Sequence, residues 1–280
     1  MERIKIIKAK YLGFCEGVRR AIELTEKAIA DGRKNITVVG DLIHNRQVIS
    51  KLRARGVQMV ESISEIREGS TLVVRSHGLP RGWIDEAKRK GVEIIDATCE
   101  KVKKLHHLAE MMIENGYQVI LIGDHNHAEV ETVVESVRGD IIVIASPEEC
   151  EKNSFKKKLG VIAQTTQSLE NFSAILEKLL EKAYELKIFN TICYASIMRQ
   201  KAASQLSKEV DLMFVIGGKH SANTCRLAAI CRKNVKTMHI ETKDEITSEM
   251  LKGVKKIGIT AGASTPDWII EEVEQKIAEM

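Results

Sequence analysis

The chain has 280 residues, 44% hydrophobic and 29% charged, enough to bury a sizeable core in one large domain or in two or three small ones. Its formal charge of +4 is spread along the chain without a polybasic block and only 4% of residues are aromatic, so no nucleic-acid partner is expected. Met1 to Lys10 has no apolar stretch of signal-peptide length and no later run reaches the ~18 apolar residues of a membrane span, which predicts a cytoplasmic protein, no membrane association and six reduced cysteines.

In chain order, an extended stretch at Ile4 to Ile7 leads to Cys15, after which Val18, Ala21, Ile22, Ala28 and Ile29 recur at helical spacing. The buried-strand run Val38-Val39-Gly40 leads to His44, and Leu72-Val73-Val74 leads to His77. The same sequence of events then repeats. Ile94 to Thr98 precedes Cys99 and a helix marked by Val102, Leu105, Ala109, Met112 and Ile113; Val119 to Gly123 leads to His127, and Val161-Ile162-Ala163 to Thr165. A third round has an extended Ile188 to Ile192, then Cys193, a helix with a less clear pattern, Met213 to Gly218 before Ser221, and Ile257-Gly258-Ile259 before Ser264. His44, His127 and Ser221 lie 29, 28 and 28 residues after their cysteines; His77, Thr165 and Ser264 lie 62, 66 and 71 after them.

Strands alternating with helices imply parallel α/β units, whose ligand sites lie beyond the carboxyl ends of the strands. The expected fold is therefore three similar α/β lobes with mostly parallel sheets in a pseudo-threefold arrangement: residues 17–99, residues 100–189, and residues 190–280 together with 1–16. Such an arrangement brings three cysteines and six polar groups towards one central cavity. One irregular α/β domain is the alternative.

Thiolates suit zinc, copper(I) and iron-sulfur clusters, and a structural zinc site shows a local pair of ligands two to four residues apart, which is missing here. Three ligands from separate units leave one metal position open, which fits a [4Fe-4S] cluster whose fourth iron binds substrate. Cys15, Cys99 and Cys193 share this context. Cys150, Cys225 and Cys231 do not, and are read as ordinary side chains, with Cys150 at a surface helix start.

The polar set of His44, His77, His127, Thr165, Ser221, Ser264 and Asn223, placed at strand ends and helix starts, is an inventory for binding phosphate. No glycine-rich stretch ends in Gly-Lys-Ser or Gly-Lys-Thr, which disfavours nucleotide hydrolysis. His106, His107, His125, His220 and His239 are read as structural or exposed. Glu129 reads more readily as a helix-start carboxylate than as a proton donor acting with Thr165.

The segments GFCEGV (13–18), IHN (43–45), SHG (76–78), DATC (96–99), HAEVE (127–131), QTT (164–166), NTIC (190–193), SAN (221–223) and TAGASTP (260–266) resemble, in order, the 4-hydroxy-3-methylbut-2-enyl diphosphate reductase family over essentially the whole chain. The resemblance implies three lobes around a [4Fe-4S] cluster held by Cys15, Cys99 and Cys193. It also implies a diphosphate bound by His44, His77, His127, Ser221, Asn223 and Ser264, and proton delivery by Glu129 and Thr165. Electrons would come from ferredoxin or flavodoxin, and isopentenyl and dimethylallyl diphosphates would form in the non-mevalonate isoprenoid pathway. The alternatives are a related [4Fe-4S] enzyme acting on another phosphorylated or acidic small molecule, an iron-sulfur sensor, or a zinc-binding structural protein. Departures from the family pattern fall at Ala222, Ala128, Glu100, Glu16, Ile197 and Met198.

Overall fold

A computed structural model describes residues 4–280; residues 1–3, which the expected third lobe includes, lie outside the described residues. The chain forms two compact units. The first comprises Met1–Val18, His44–Ser50 and Tyr194–Met280 and holds one four-stranded sheet; the second comprises Arg19–Ile43 and Lys51–Cys193 and holds two.

In the first unit, β1 (Lys5–Lys8), β12 (Lys256–Ala261), β10 (Leu212–Ile216) and β11 (Thr237–Ile240) lie side by side in that order, all parallel. Successive side chains of a strand point to opposite faces. Accordingly Leu212, Phe214 and Ile216 pack with Ile257, Ile269, Ile270 and Val273, whereas Met213 and Val215 pack on the other face with Ala203, Leu206, Leu227 and Cys231. Both faces are covered by helices, which is why β10 reads as an unbroken apolar run.

In the second unit, β2 (Ile36–Val39), β3 (Gln58–Val60), β4 (Thr71–Val74) and β5 (Glu93–Asp96) are ordered β3-β2-β4-β5. There too β6 (Gln118–Ile122), β7 (Ile141–Ile144), β8 (Lys158–Ala163) and β9 (Glu185–Ile188) are ordered β7-β6-β8-β9, and every pairing is parallel. Read from the other edge, the first unit's sheet runs β11-β10-β12-β1, so the three lobes share one strand order. They also share an edge strand of one type. The sequences KIIK, EIID and ELKI of β1, β5 and β9 each have exposed outer positions and two half-buried residues between, with a charge at every outer position except Ile188, and these charges discourage pairing with another chain.

Each edge strand is followed by a cysteine and then a helix: α1 (Glu16–Ala30), α4 (Glu100–Glu114) and α7 (Tyr194–Leu206). The expected extended stretch at Ile188 to Ile192 is displaced, since β9 ends at Ile188 and residues 189–192 are irregular. The weak pattern after Cys193 has a physical cause: α7 buries Ser196, Arg199 and Gln200 beside Ala203 and Leu206, so its inner face is not apolar. Cys150 is fully buried in a 3-10 turn at Pro147–Glu151 rather than on the surface, because that turn packs inwards. Cys231 is buried, Cys225 is exposed, and none of the six cysteines is in a disulfide. Among the described residues no helix is long and apolar enough to cross a membrane.

Candidate active site

One backbone bond recurs in all three lobes. The Cys15 amide donates to the Ala263 carbonyl at 3.0 Å, Cys99 to Ser76 at 3.0 Å and Cys193 to Thr165 at 2.8 Å. Each acceptor lies two residues beyond the end of β12, β4 or β8. The three thiols are thus tethered at the same place in three copies of one unit, and each is half-buried. At Cys15 the sulfur also accepts from the Val18 amide in the first turn of α1 at 3.5 Å.

In the second unit, His127 caps α5 (Ala128–Ser136), its Nδ1 accepting from the Glu129 amide at 3.2 Å. A neutral ring bonded in this way carries its proton on Nε2, where it can donate to an anion. The His77 ring meets that of His127 edge-on, with centroids 5.7 Å apart. The His77 loop is itself held, since the Arg75 Nε donates to the Gly78 carbonyl at 3.0 Å. Burial weakens the charged form of Arg75, against the pull of Glu131, Asp41 and Glu135. Glu129 is 1% exposed, and both its oxygens accept from Thr165: Oε1 from the amide at 2.6 Å, Oε2 from the hydroxyl at 2.7 Å. Because the Thr165 carbonyl holds the Cys193 amide, a carboxylate, a hydroxyl and a thiol-bearing segment form one connected chain.

In the first unit, Ser221 caps α8 (Ala222–Arg232), and the Ser264 hydroxyl donates to the His44 carbonyl at 3.0 Å. Asn223 is 3% exposed, yet neither its Oδ1 nor its Nδ2 has a partner; Asn45 Nδ2 and the Thr224 hydroxyl share that condition. A buried polar group left unmade costs about 1–3 kcal/mol, so the Asn223 amide, with neither atom paired, is a candidate to meet a polar ligand. Donor-rich amides and hydroxyls fit an anion better than a cation.

The expected residues therefore fall into two groups, each within one unit: Cys15, His44, Ser221, Asn223 and Ser264 in the first, and His77, Cys99, His127, Glu129, Thr165 and Cys193 in the second. Their equivalence is looser than the spacing suggests. The helix-capping positions are Asn45, whose Oδ1 accepts from the Val48 amide at 3.0 Å, His127 and Ser221, so His44 stands one residue before its cap. Likewise Thr165 matches Ser76 and Ala263 in the cysteine tether, one residue out of step with His77 and Ser264. Offsets counted from the cysteines absorb differences in helix and loop length and hide such slips. They also miss Asn45, although an Asn before a helical pattern is itself a capping signal. Of the remaining histidines, His125 pairs with Glu149, His239 contacts the Gly217 carbonyl and His107 is exposed, in keeping with structural or surface roles.

Fold and site together define an α/β protein of three parallel lobes with three cysteines tethered just beyond strand ends and with buried carboxylate, hydroxyl and amide side chains at helix starts and strand ends. The LytB protein family profile matches residues 6–278, and the chain belongs to that family. It is 46% identical over 278 residues to a 4-hydroxy-3-methylbut-2-enyl diphosphate reductase of Caldanaerobacter subterraneus subsp. tengcongensis, covering 98% of this chain and 96% of the relative. A reductase of the same name from Geotalea uraniireducens is 43% identical over 275 residues, covering 98% and 97%. Among solved structures, the E-1-hydroxy-2-methyl-but-2-enyl-4-diphosphate reductase of Plasmodium falciparum matches with a TM-score of 0.92 at 31% identity, over 98% of this chain and 87% of that one. A structure of (E)-4-hydroxy-3-methyl-but-2-enyl diphosphate reductase, described as the terminal enzyme of the non-mevalonate pathway, matches at 0.73 and 40% identity, over 99% and 100%. The chain is accordingly an oxidoreductase.

Proposed function

We propose that this chain reductively removes the hydroxyl of 4-hydroxy-3-methylbut-2-enyl diphosphate, giving isopentenyl and dimethylallyl diphosphates in the cytoplasm, with Cys15, Cys99 and Cys193 holding a [4Fe-4S] cluster. The lobes are taken as residues 17–99, 100–189, and 190–280 with 1–16. The observation that carries the reading is the linked set Glu129, Thr165 and Cys193, in which a buried carboxylate and a hydroxyl are fixed to the segment bearing a thiol.

The donor set fits the cluster: three thiols without a fourth, equally tethered and unpaired in disulfides. When bound, the cluster supplies electrons one at a time and a Lewis-acidic position for the leaving hydroxyl. The chain's own groups do the rest. Substrate, two electrons and two protons give product and one water. His44, His77, His127, Ser221, Asn223 and Ser264 bind the diphosphate, the Nε2–H of His127 and the orphaned Asn223 amide supplying directed donors. Glu129, through the Thr165 hydroxyl, delivers a proton to the departing oxygen, and its burial keeps bulk water from competing. Ferredoxin or flavodoxin supplies the electrons.

The test is anaerobic purification, measurement of iron and sulfide per chain, and steady-state turnover with the hydroxylated allylic diphosphate beside other phosphorylated small molecules. Four irons per chain and preferred turnover of the allylic diphosphate are expected. Zinc in place of iron would overturn the cofactor, and faster turnover of another compound the substrate.

A further inference from the structure

We infer that Arg20 and Arg199 are positioning residues that lace the three cysteine segments to one another and set two guanidinium charges beside them, an inference resting on the proposed cluster ligands. Arg199 lies on α7, six residues past Cys193, and is 6% exposed. Its Nη2 donates to the Gly13 carbonyl at 2.7 Å and its Nη1 to the Ala195 carbonyl at 3.0 Å. Gly13 stands two residues before Cys15 with φ of 77°, a left-handed turn that suits glycine. One buried side chain thus ties the start of the helix after Cys193 to the loop entering Cys15.

Arg20 repeats the arrangement one step round. It lies on α1, five residues past Cys15, and its Nη1 donates to the Thr98 carbonyl at 3.1 Å while Nη2 donates to the Asp96 carbonyl at 3.2 Å. Thr98 directly precedes Cys99, and its own amide is held by Asp96 Oδ1 at 2.9 Å. In both cases the helix following one cysteine sends a guanidinium to backbone carbonyls in the segment preceding another. The third side is built differently. On α4 the cation one turn past Cys99, Lys103, turns back to Asp96 at 2.8 Å and Glu100 at 3.1 Å.

Arginine suits this role because its planar fork bonds two carbonyls at once and keeps its charge when buried. Groups that orient metal ligands from behind fix ligand geometry, and their loss commonly costs about 10- to 100-fold in metal retention or activity. A cation near an anionic cluster also favours the reduced form. Position and charge make separable contributions here, since lysine preserves the charge and loses the fork.

The experiment compares wild type with Arg199→Met, Arg199→Lys, Arg20→Met and Arg20→Lys after anaerobic reconstitution. It follows iron release to a chelator, the midpoint potential by EPR-monitored titration, and kcat and KM. Wild type without a cluster would overturn the cofactor reading before any variant is made. With the cluster present, all four variants are expected to release iron about tenfold faster or more. The Met variants are expected to show a more negative potential that the Lys variants largely restore, with KM for the diphosphate within about twofold of wild type and kcat lowered. Folded Met variants with wild-type release and potential would overturn the inference. Should Arg199→Met fail to fold, the half-buried Arg20→Met and the charge-preserving Arg199→Lys decide it by the same readouts.

Discussion

At the scale of single residues, Glu129 carries the sharpest expectation. Replacing it by Gln removes the transferable proton while leaving size nearly unchanged, so turnover should fall by ~10²–10⁴-fold with iron content retained. The amide offers one acceptor oxygen where two are now used, so the Thr165 amide or hydroxyl loses its partner and stability should drop by about 1–3 kcal/mol. Near-normal kcat in this variant would remove Glu129 from proton delivery. Cys231 makes a different case. Full burial pushes its thiol up to about 12, so the folded chain holds this proton when the unfolded chain has released it. The stability contribution is complete below the ordinary thiol range near ~8.5 and is lost as pH rises from there towards 12, by at most ~1.4 kcal/mol per unit. Urea unfolding at pH 8, 9 and 10 should therefore show a shallower alkaline decline for Cys231→Ala than for wild type; equal slopes would refute the assignment.

At the scale of elements, what is legible in the sequence follows from how each one is covered. Strands β2, β6 and β10 are buried throughout and stand out as apolar runs, and the edge strands KIIK and EIID are visible because charge brackets two isoleucines. Helix α7 is faint because its buried face carries Ser196, Arg199 and Gln200, and Arg199 is held there by hydrogen bonds rather than apolar packing. Cys150 is misplaced by its sequence because a run of acids after a proline looks like an exposed helix start, whereas the turn it belongs to packs inwards. The strands β8 and β12, KLGVIA and KIGITA, preserve a trace of the repeat that cysteine spacing alone does not use. Their glycines make room for a methionine in each lobe, since an added Cβ would come within 2.4 Å of Met112 Sδ at Gly160 and within 2.2 Å of Met213 Sδ at Gly258. Overpacking costs about 1–3 kcal/mol, so Gly160→Ala should lower the thermal midpoint by several degrees without changing secondary structure, and an unchanged midpoint would mean that Met112 yields freely. Phe214→Ala, in the apolar core of the first unit, should cost more, about 3–5 kcal/mol by denaturant unfolding.

At the scale of the whole molecule, three copies of one topology each end in a tethered cysteine, so the three thiols fall where one copy hands the chain to the next. Cysteine spacing reveals that plan; it does not reveal that His44–Ser50 groups with Tyr194–Met280, because the hydrogen bond from Ser264 to His44 joins residues 220 positions apart and leaves no local signature. If one cluster takes a thiol from each handover point, its binding energy must also be folding energy, since the unfolded chain offers no preformed site. Stripping iron anaerobically should then lower the thermal midpoint and broaden the transition, as segments joined through the metal become free to unfold separately. Cys99→Ser, which removes one ligand with little change in volume, should reproduce the stripped midpoint whether or not iron is supplied. Calorimetry of wild type, stripped wild type and Cys99→Ser decides the matter. Coincident transitions in all three would mean that the lobes cohere through protein contacts alone and that the cluster is held by a scaffold complete without it.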